Sequence, residues 1–398
     1  MKILFIHHGN ILGGAPLSLL YLARELERLP NIELEIVCHA PQTRDFFAKN
    51  LKSPVNLWGD PLMFFGKILI GWSYLNSSQS YKLFFSAMFH MPISIWKQFR
   101  LIRQRQPDIV HLNSAVLFSS AIAARLAGFP VVWHIREPLQ GGLYRQYIIG
   151  KIIRTLASAV IAISEVEARR LGENQHGKVK VIYNPINIEK LQIDLYDPIV
   201  EKQKLGLTEF NKLIVSLGGV NPRKGTLELV DAMQYTDAQT RLLIAGPPLL
   251  PNYVNGSYEE KVRNIIANLP PNKVLFVGNL EDIVPLLAAC DVLVFAGTKP
   301  HFPRPVFEAW FMKKPVVVFK MDGISNQVEH GQDGIVVNEI NGEALGKALT
   351  ELLETPALMR KFGEAGKVKA ERFCNPTSSA KQVRNVYDEI LNNKSSRN

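Results

Sequence analysis

The chain has 398 residues, 47% of them apolar and 21% charged, which is more than one ordinary core holds and predicts two domains. Its net charge of +10 favours an anionic partner: a nucleotide, an acidic membrane surface or a nucleic acid. Cys38, Cys290 and Cys374 stand far apart without a CxxC pair, which suits a reducing compartment and argues against a disulfide framework or a zinc site.

An apolar run at 2–6 leads through HHGNILGGAP into a helical pattern from Leu17 to Leu26. Strand, glycine loop and helix open a nucleotide-binding type of unit. Gly13 and Gly14 either let backbone approach a phosphate or only permit a tight turn. The run at 2–6 is too short for a signal peptide, and no window reads as a transmembrane helix. The expected location is therefore the cytoplasm.

Residues 61–107 contain no Asp or Glu, but carry Lys67, Lys82, Lys97, Arg100, Arg103 and Arg105 among Phe64, Phe65, Trp72, Tyr74, Phe84, Phe85, Phe89 and Trp96. A basic, aromatic, partly helical segment is a candidate for resting on an anionic membrane surface, which would make the protein peripheral on its inner face. An ordinary helical pair with its aromatics inward gives the same composition. A nucleic-acid groove is the third reading, but no nucleic-acid module accompanies it, so no nucleic acid is expected.

Strands are predicted at 107–112, 131–135, 159–164 and 179–183, with helices at 115–126, 147–156 and 165–171. This alternation predicts a parallel, doubly wound sheet. Ligands in such sheets sit at the carboxyl ends of the strands. His111, Asn113, His134, Arg136 and Glu137 fall there and are site candidates as a group. Residues 187–207 read as a linker.

The pattern then restarts. A strand at 212–217 runs into Gly218-Gly219-Val220-Asn221-Pro222-Arg223-Lys224-Gly225 and a helix from Thr226. Arg223 and Lys224 before a helix start, with glycines on both sides, make a plausible diphosphate cradle. Further strands are predicted at 241–245, ending at Gly246, and at 274–278, 292–295 and 316–318. Between the last two lies TKPHFPRPVFEAWFMKKPVVV, which places the lone carboxylate of Glu308 at the first turn of a helix. Helices over 342–353, 356–373 and 377–391 close the chain. The last follows Asn375-Pro376 and is expected to pack back on the first half.

The second half resembles the nucleotide-sugar domain of retaining glycosyltransferases with the GT-B fold, specifically glycosyltransferase family 4. The ordered blocks are PRKG, Ala245-Gly246, LFVGN, Ala288 to Val292, Glu308-Ala309, Pro315-Val316-Val317 and Gly331 to Gly334. The resemblance is strongest over 212–337 and covers most of 1–391. It implies two Rossmann-like doubly wound α/β domains facing across a cleft. An N-terminal acceptor domain would span 1–190 and a nucleotide-sugar domain 191–375, with helix 376–398 returning to the first. Members carry a pair of Glu in the TKPHFPRPVFEA stretch. Glu308 matches the second, and Pro300 stands at the first. A usual Arg aligns with Gly219, a usual Glu with Asn326, and a usual His with Arg136.

The resemblance implies transfer of a sugar from a nucleotide-diphosphate donor to a glycan or lipid-linked acceptor, with retention and without a divalent metal or other cofactor. Gly13, Gly14, Gly219, Arg223, Lys224, Gly246, Phe302, Arg304, Pro305, Val306 and Glu308 would bind the donor. Glu308 would hold the ribose hydroxyls, and His134, Arg136 and Glu137 would serve the reacting centre. A non-catalytic binder of nucleotide-sugar or glycan, or a nucleotide-sugar epimerase on the same fold, are the alternatives.

Overall fold

The structure, a computed structural model, describes residues 1–9, 14–58, 78–172, 177–208, 211–246, 256–300 and 302–395. Gly13 and the 61–77 portion of the basic segment lie outside them. The chain divides into two compact units, Met1–Pro185 with Pro376–Asn398, and Ile186–Asn375.

Among the described residues, the first unit holds a parallel sheet in the order β3-β2-β1-β4-β5-β6-β7. Its strands are β1 (Lys2–His7), β2 (Glu33–Cys38), β3 (Val55–Leu57), β4 (Ile109–Leu112), β5 (Val131–Ile135), β6 (Ala159–Ala162) and β7 (Val179–Val181). Both faces are buried, which explains runs such as KILFI and VVWHI that do not alternate with polar residues. One face packs α1 (Gly14–Glu27), α2 (Pro41–Asn50) and α14 (Pro376–Ser395) against Ile3, Phe5, Ile36 and Ile161. The other packs α3 (Ser78–Arg105), α4 (Phe118–Leu126), α5 (Leu143–Leu156) and α6 (Glu165–Arg170) against Leu4, Val110, Trp133 and Val160. Ala380, Val383 and Tyr387 of α14 are fully buried, so the last helix is a structural part of this unit.

Among the described residues, the second unit holds a parallel sheet in the order β10-β9-β8-β11-β12-β13. Its strands are β8 (Lys212–Leu217), β9 (Thr240–Ala245), β10 (Val274–Gly278), β11 (Val292–Phe295), β12 (Val316–Phe319) and β13 (Ile335–Val337). Strand order reverses direction between β8 and β11, at the switch point where ligands bind in sheets of this kind. The helices are α7 (Pro198–Lys204), α8 (Thr226–Ala232), α9 (Gly256–Ala267), α10 (Val284–Ala289), α11 (Arg304–Phe311), α12 (Gly342–Leu353) and α13 (Pro356–Phe373).

Two expectations change. Residues 187–207 are not only a linker, because α7 forms within them. Asp197 caps it by accepting the backbone N–H of Ile199 and Val200, and Pro198 suits its first turn. Glu308 is not in the first turn of its helix. Pro303 and Pro305 start α11 early, so Glu308 is its fifth residue and faces Arg304 one turn back. The short strands β3 and β13 have no signal in the sequence reading; each is three residues long.

Candidate active site

In the second unit, β8 ends in a loop that only glycine permits. Gly219 and Gly225 take φ of 69° and 65°. A Cβ on Gly225 would be driven into the carbonyl oxygen of Ala296, just beyond β11. A Cβ on Gly246, just beyond β9, would meet the backbone nitrogen of Gly219. Three strand ends therefore meet backbone to backbone. The backbone N–H groups of Gly218 and Gly219 both donate to the carbonyl of Ala245.

Between these glycines, Pro222–Lys224 forms one 3-10 turn capped by Asn221, whose side chain accepts the N–H of Arg223 at 2.8 Å. Thr298 fastens that turn to the end of β11. Its hydroxyl donates to Pro222 O at 2.8 Å and its N–H donates to Arg223 O at 3.2 Å. Thr226, first in α8, accepts the Asn221 N–H at 2.9 Å. The Lys224 ammonium lies 4.6 Å from the Phe295 ring centroid. Burial, with Arg223 alongside, pushes the Lys224 pKa down to about 8.

The stretch from 298 to 311 continues from β11. Phe302 is buried, with its ring 5.7 Å from that of Phe307, and the Val306 side chain is fully buried. Glu308 is 5% exposed. Its Oε1 forms an ion pair with Arg304 Nε at 2.9 Å, while Glu308 Oε2 and the Nε and Nη1 of Arg304 are buried and have no hydrogen-bond partner among the described residues. One carboxylate oxygen is held and the other is open. The helix that carries it is fixed by Trp310, whose Nε1–H donates to Asp333 O at 2.9 Å, and by Gln327, whose amide donates to Pro303 O at 3.1 Å. Pro300 has no side-chain acceptor.

In the first unit, the strand ends carry a buried polar network. Arg136 Nε donates to Asn113 Oδ1 at 2.6 Å, which orients the amide so that Asn113 Nδ2 donates to His7 Nδ1 at 2.9 Å. His7 is thus protonated on Nε2. Arg136 also donates to Asn184 Oδ1. His134 Nδ1 lies 3.3 Å from His111 Nε2, and His111 Nδ1 lies 2.7 Å from the hydroxyl of Tyr387. His7 Nε2, His134 Nε2 and Arg136 Nη2 are buried without a partner among the described residues. Burial, and secondarily the Arg136 charge, holds His111 and His134 well below their usual pKa. Burial, then His8 and Arg136, does the same for His7. Burial lowers Arg136 itself to about 9.

His111, Asn113, His134 and Arg136, foreseen at the strand ends, do come together, and His7 joins them through Asn113. Glu137 plays a different part. Its oxygens accept from the Ser114 hydroxyl at 2.8 Å and the Ala115 N–H at 2.9 Å, which fixes the loop after β4. Gly14 begins α1, and its carbonyl accepts from the Ser18 hydroxyl at 2.8 Å. Tyr387 and Asn184 escaped the sequence reading. Tyr387 lies in a helix whose pattern signals only packing. Asn184 precedes a proline and reads as a turn.

The family described as "Glycosyltransferase Family 4" matches residues 12–190, and that described as "Glycosyl transferases group 1" matches residues 199–369. An uncharacterized glycosyltransferase of Methanocaldococcus jannaschii is 24% identical over 242 residues, covering 60% of this chain but only 62% of that relative's length. The UDP-Gal:alpha-D-GlcNAc-diphosphoundecaprenol alpha-1,3-galactosyltransferase of Escherichia coli is 22% identical over 318 residues, covering 76% of this chain and 80% of the relative. The crystal structure of Anabaena HepE in complex with UDP superposes with a TM-score of 0.79 at 22% identity, covering 98% of this chain and 100% of that one. The glycine loop, the carboxylate of α11 and these matches over both halves lead to one assignment: the chain belongs to the group 1, family 4 glycosyltransferases.

Proposed function

We propose that the protein transfers a sugar from a nucleotide-diphosphate donor to a glycan or lipid-linked acceptor in cell-surface polysaccharide or glycolipid synthesis, with retention at the anomeric carbon. The observation that carries this is Glu308. A buried carboxylate with one oxygen held by Arg304 and the other open is built to accept hydroxyl protons, as a ribose diol requires. It stands in the stretch that follows β11, beside the glycine loop that Thr298 fastens there.

The second unit meets the charge that develops on the leaving diphosphate. Lys224, Arg223 and the Thr226 N–H at the start of α8 are fixed before the reaction and need no reorganisation during it, while the Leu227 N–H is held by the Tyr258 hydroxyl at 2.9 Å. In this proposal they act without a divalent metal. The first unit supplies donors for the sugar or acceptor: Arg136 Nη2 and the Nε2–H of His7. His134 Nε2 serves as donor or acceptor according to how Tyr387 shares its proton with His111. The named donor and acceptor of the Escherichia coli relative, UDP-galactose and a diphosphoundecaprenol-linked sugar, support the substrate classes but do not fix this chain's own. Retention follows the family resemblance, and no second carboxylate is assigned to a covalent intermediate.

A panel of UDP-, GDP- and ADP-sugars with membrane extract as acceptor source tests the proposal. Release of one nucleoside diphosphate, with a product whose anomeric configuration matches the donor by NMR, is the expected result. Donor bound without release from any member of the panel would instead favour a non-catalytic binder.

A further inference from the structure

We propose that the outer faces of α3 and α5 together form a docking surface for an anionic lipid bilayer. On α3, Tyr81, Phe85, Met88, Phe89, Ile93 and Trp96 are exposed at steps of three and four residues, which keeps them on one side of the helix. Phe89 is 77% exposed and Phe85 63%. The opposite side buries Ala87, Ser94, Gln98 and Ile102. On α5, Leu143 is 85% and Tyr144 80% exposed, followed on the same side by Tyr147, Ile148 and Ile152. Ile149 and Ile153 point inward, and Gly150 lies so close to the Leu171 carbonyl that a Cβ would not fit. The helix cannot roll to hide its outer face.

Both helices contribute to the same core on one side of the first unit's sheet, so their outer faces look away from that side together. Exposed apolar rows of this size are unusual on a protein surface without a partner.

Charge selects the partner. Residues 78–164 contain ten Lys or Arg and two carboxylates, Asp108 and Glu137. Neither carboxylate is on α3 or α5. Asp108 accepts the backbone N–H of Lys2 at the foot of β4, and Glu137 is buried on Ser114 and Ala115. The two helices carry Lys82, Lys97, Arg100, Arg103, Arg145 and Lys151, with Arg100 stacked 4.9 Å over Trp96, whereas Arg105 is ion-paired with Glu35 at 3.1 Å and Arg154 packs against Gly172. A second copy of the chain would set cation against cation. A nucleic acid would meet the cations but give no apolar medium to Phe85, Phe89 and Leu143. A bilayer with anionic headgroups takes both. Among the described residues no helix is long and apolar enough to cross a membrane, so these helices lie on it.

The surface rests on the transferase reading only for its purpose, which is to hold the enzyme where a lipid-linked acceptor is anchored. The full chain should be sedimented with vesicles of phosphatidylcholine alone and with about 30 mol% phosphatidylglycerol. The anionic vesicles should capture it about ten-fold better, and salt of about 0.5 M should weaken capture. Phe89→Glu with Tyr144→Glu should lower capture by about ten-fold, with thermal stability and nucleoside diphosphate affinity unchanged. Lys82→Gln with Lys97→Gln and Lys151→Gln, which leaves every apolar residue in place, should remove the preference for phosphatidylglycerol. Equal capture by both vesicle types, or by neither, overturns the proposal. So does Phe89-dependent self-association or DNA binding without vesicle binding. Nucleotide affinity in the same samples reports the transferase reading separately.

Discussion

Arg304 Nε lies 2.9 Å from Glu308 Oε1, one turn apart on α11, with the Glu308 side chain buried and that of Arg304 only 15% exposed. The pair fixes the carboxylate and neutralises part of its charge, while its second oxygen has no partner among the described residues. Breaking a buried pair by removing one partner strands the other charge.

Arg304→Ala should therefore lower stability by about 3 kcal/mol and loosen the geometry of Glu308. Glu308→Gln, which keeps an acceptor oxygen for Arg304, should cost less stability than Arg304→Ala. Chemical denaturation of both variants checks this. An Arg304→Ala variant as stable as the parent would remove the pair from the account.

Gly225→Ala places a methyl group against the Ala296 carbonyl at a backbone φ of 65°. Strain and overlap together should cost about 3 kcal/mol. Because Gly225 precedes the first residue of α8, nucleotide affinity should fall as well. Gly206→Ala, also at positive φ but with open space around it, should cost about 1 kcal/mol and leave nucleotide affinity alone. Thermal melts with and without nucleoside diphosphate separate the two.

Lys224, with its pKa near 8, should make diphosphate affinity fall as pH rises through 8, because the cation is lost. Stability should move the other way. The unfolded chain holds that proton up to about 10.5, so between about 8 and 10.5 unfolding takes up a proton and the Lys224 contribution to stability rises with pH. Lys224→Met should flatten the affinity profile, read by calorimetry across pH 7–9 (about the window set by that pKa).

His7, His111 and His134 are all held well below the usual 6.5. Below about pH 6.5 the unfolded chain takes up protons that these buried rings resist. Their contribution is present above that pH and is lost as pH falls, so the first unit should be acid-labile from about pH 6.5 downward. Tyr387→Phe removes the hydroxyl from His111 and should cost about 1–2 kcal/mol. It should also lower turnover more than donor affinity if His134 acts in the reaction. A pH-independent melt between 5 and 7 (about the histidine range) would contradict the neutral, buried cluster.

Much of this molecule was legible in its sequence. Buried parallel strands such as VVWHI and LLIA read as unbroken apolar runs, and the glycine loop announced itself by composition. What escaped reading depended on tertiary partners. Tyr387 enters the His111 network because α14 packs on the first unit's sheet, which its helical pattern cannot disclose. Glu308 shifted from the first turn of α11 to the second because Pro303 and Pro305 set the helix start. Glu137 looked like a reactive group until Ser114 and Ala115 took its oxygens. The basic aromatic segment had three readings by composition, and the exposure of Phe85, Phe89 and Trp96 on α3 removes the one that turned its aromatics inward.

The central claim is that the second unit binds a nucleoside diphosphate through Glu308. Calorimetric titration of UDP, GDP and ADP into the wild-type chain and Glu308→Gln tests it most directly. The account predicts that one nucleotide binds the wild type and binds the variant at least about ten-fold more weakly, the loss of a charged hydrogen-bond acceptor. Equal affinity in the two proteins would contradict it.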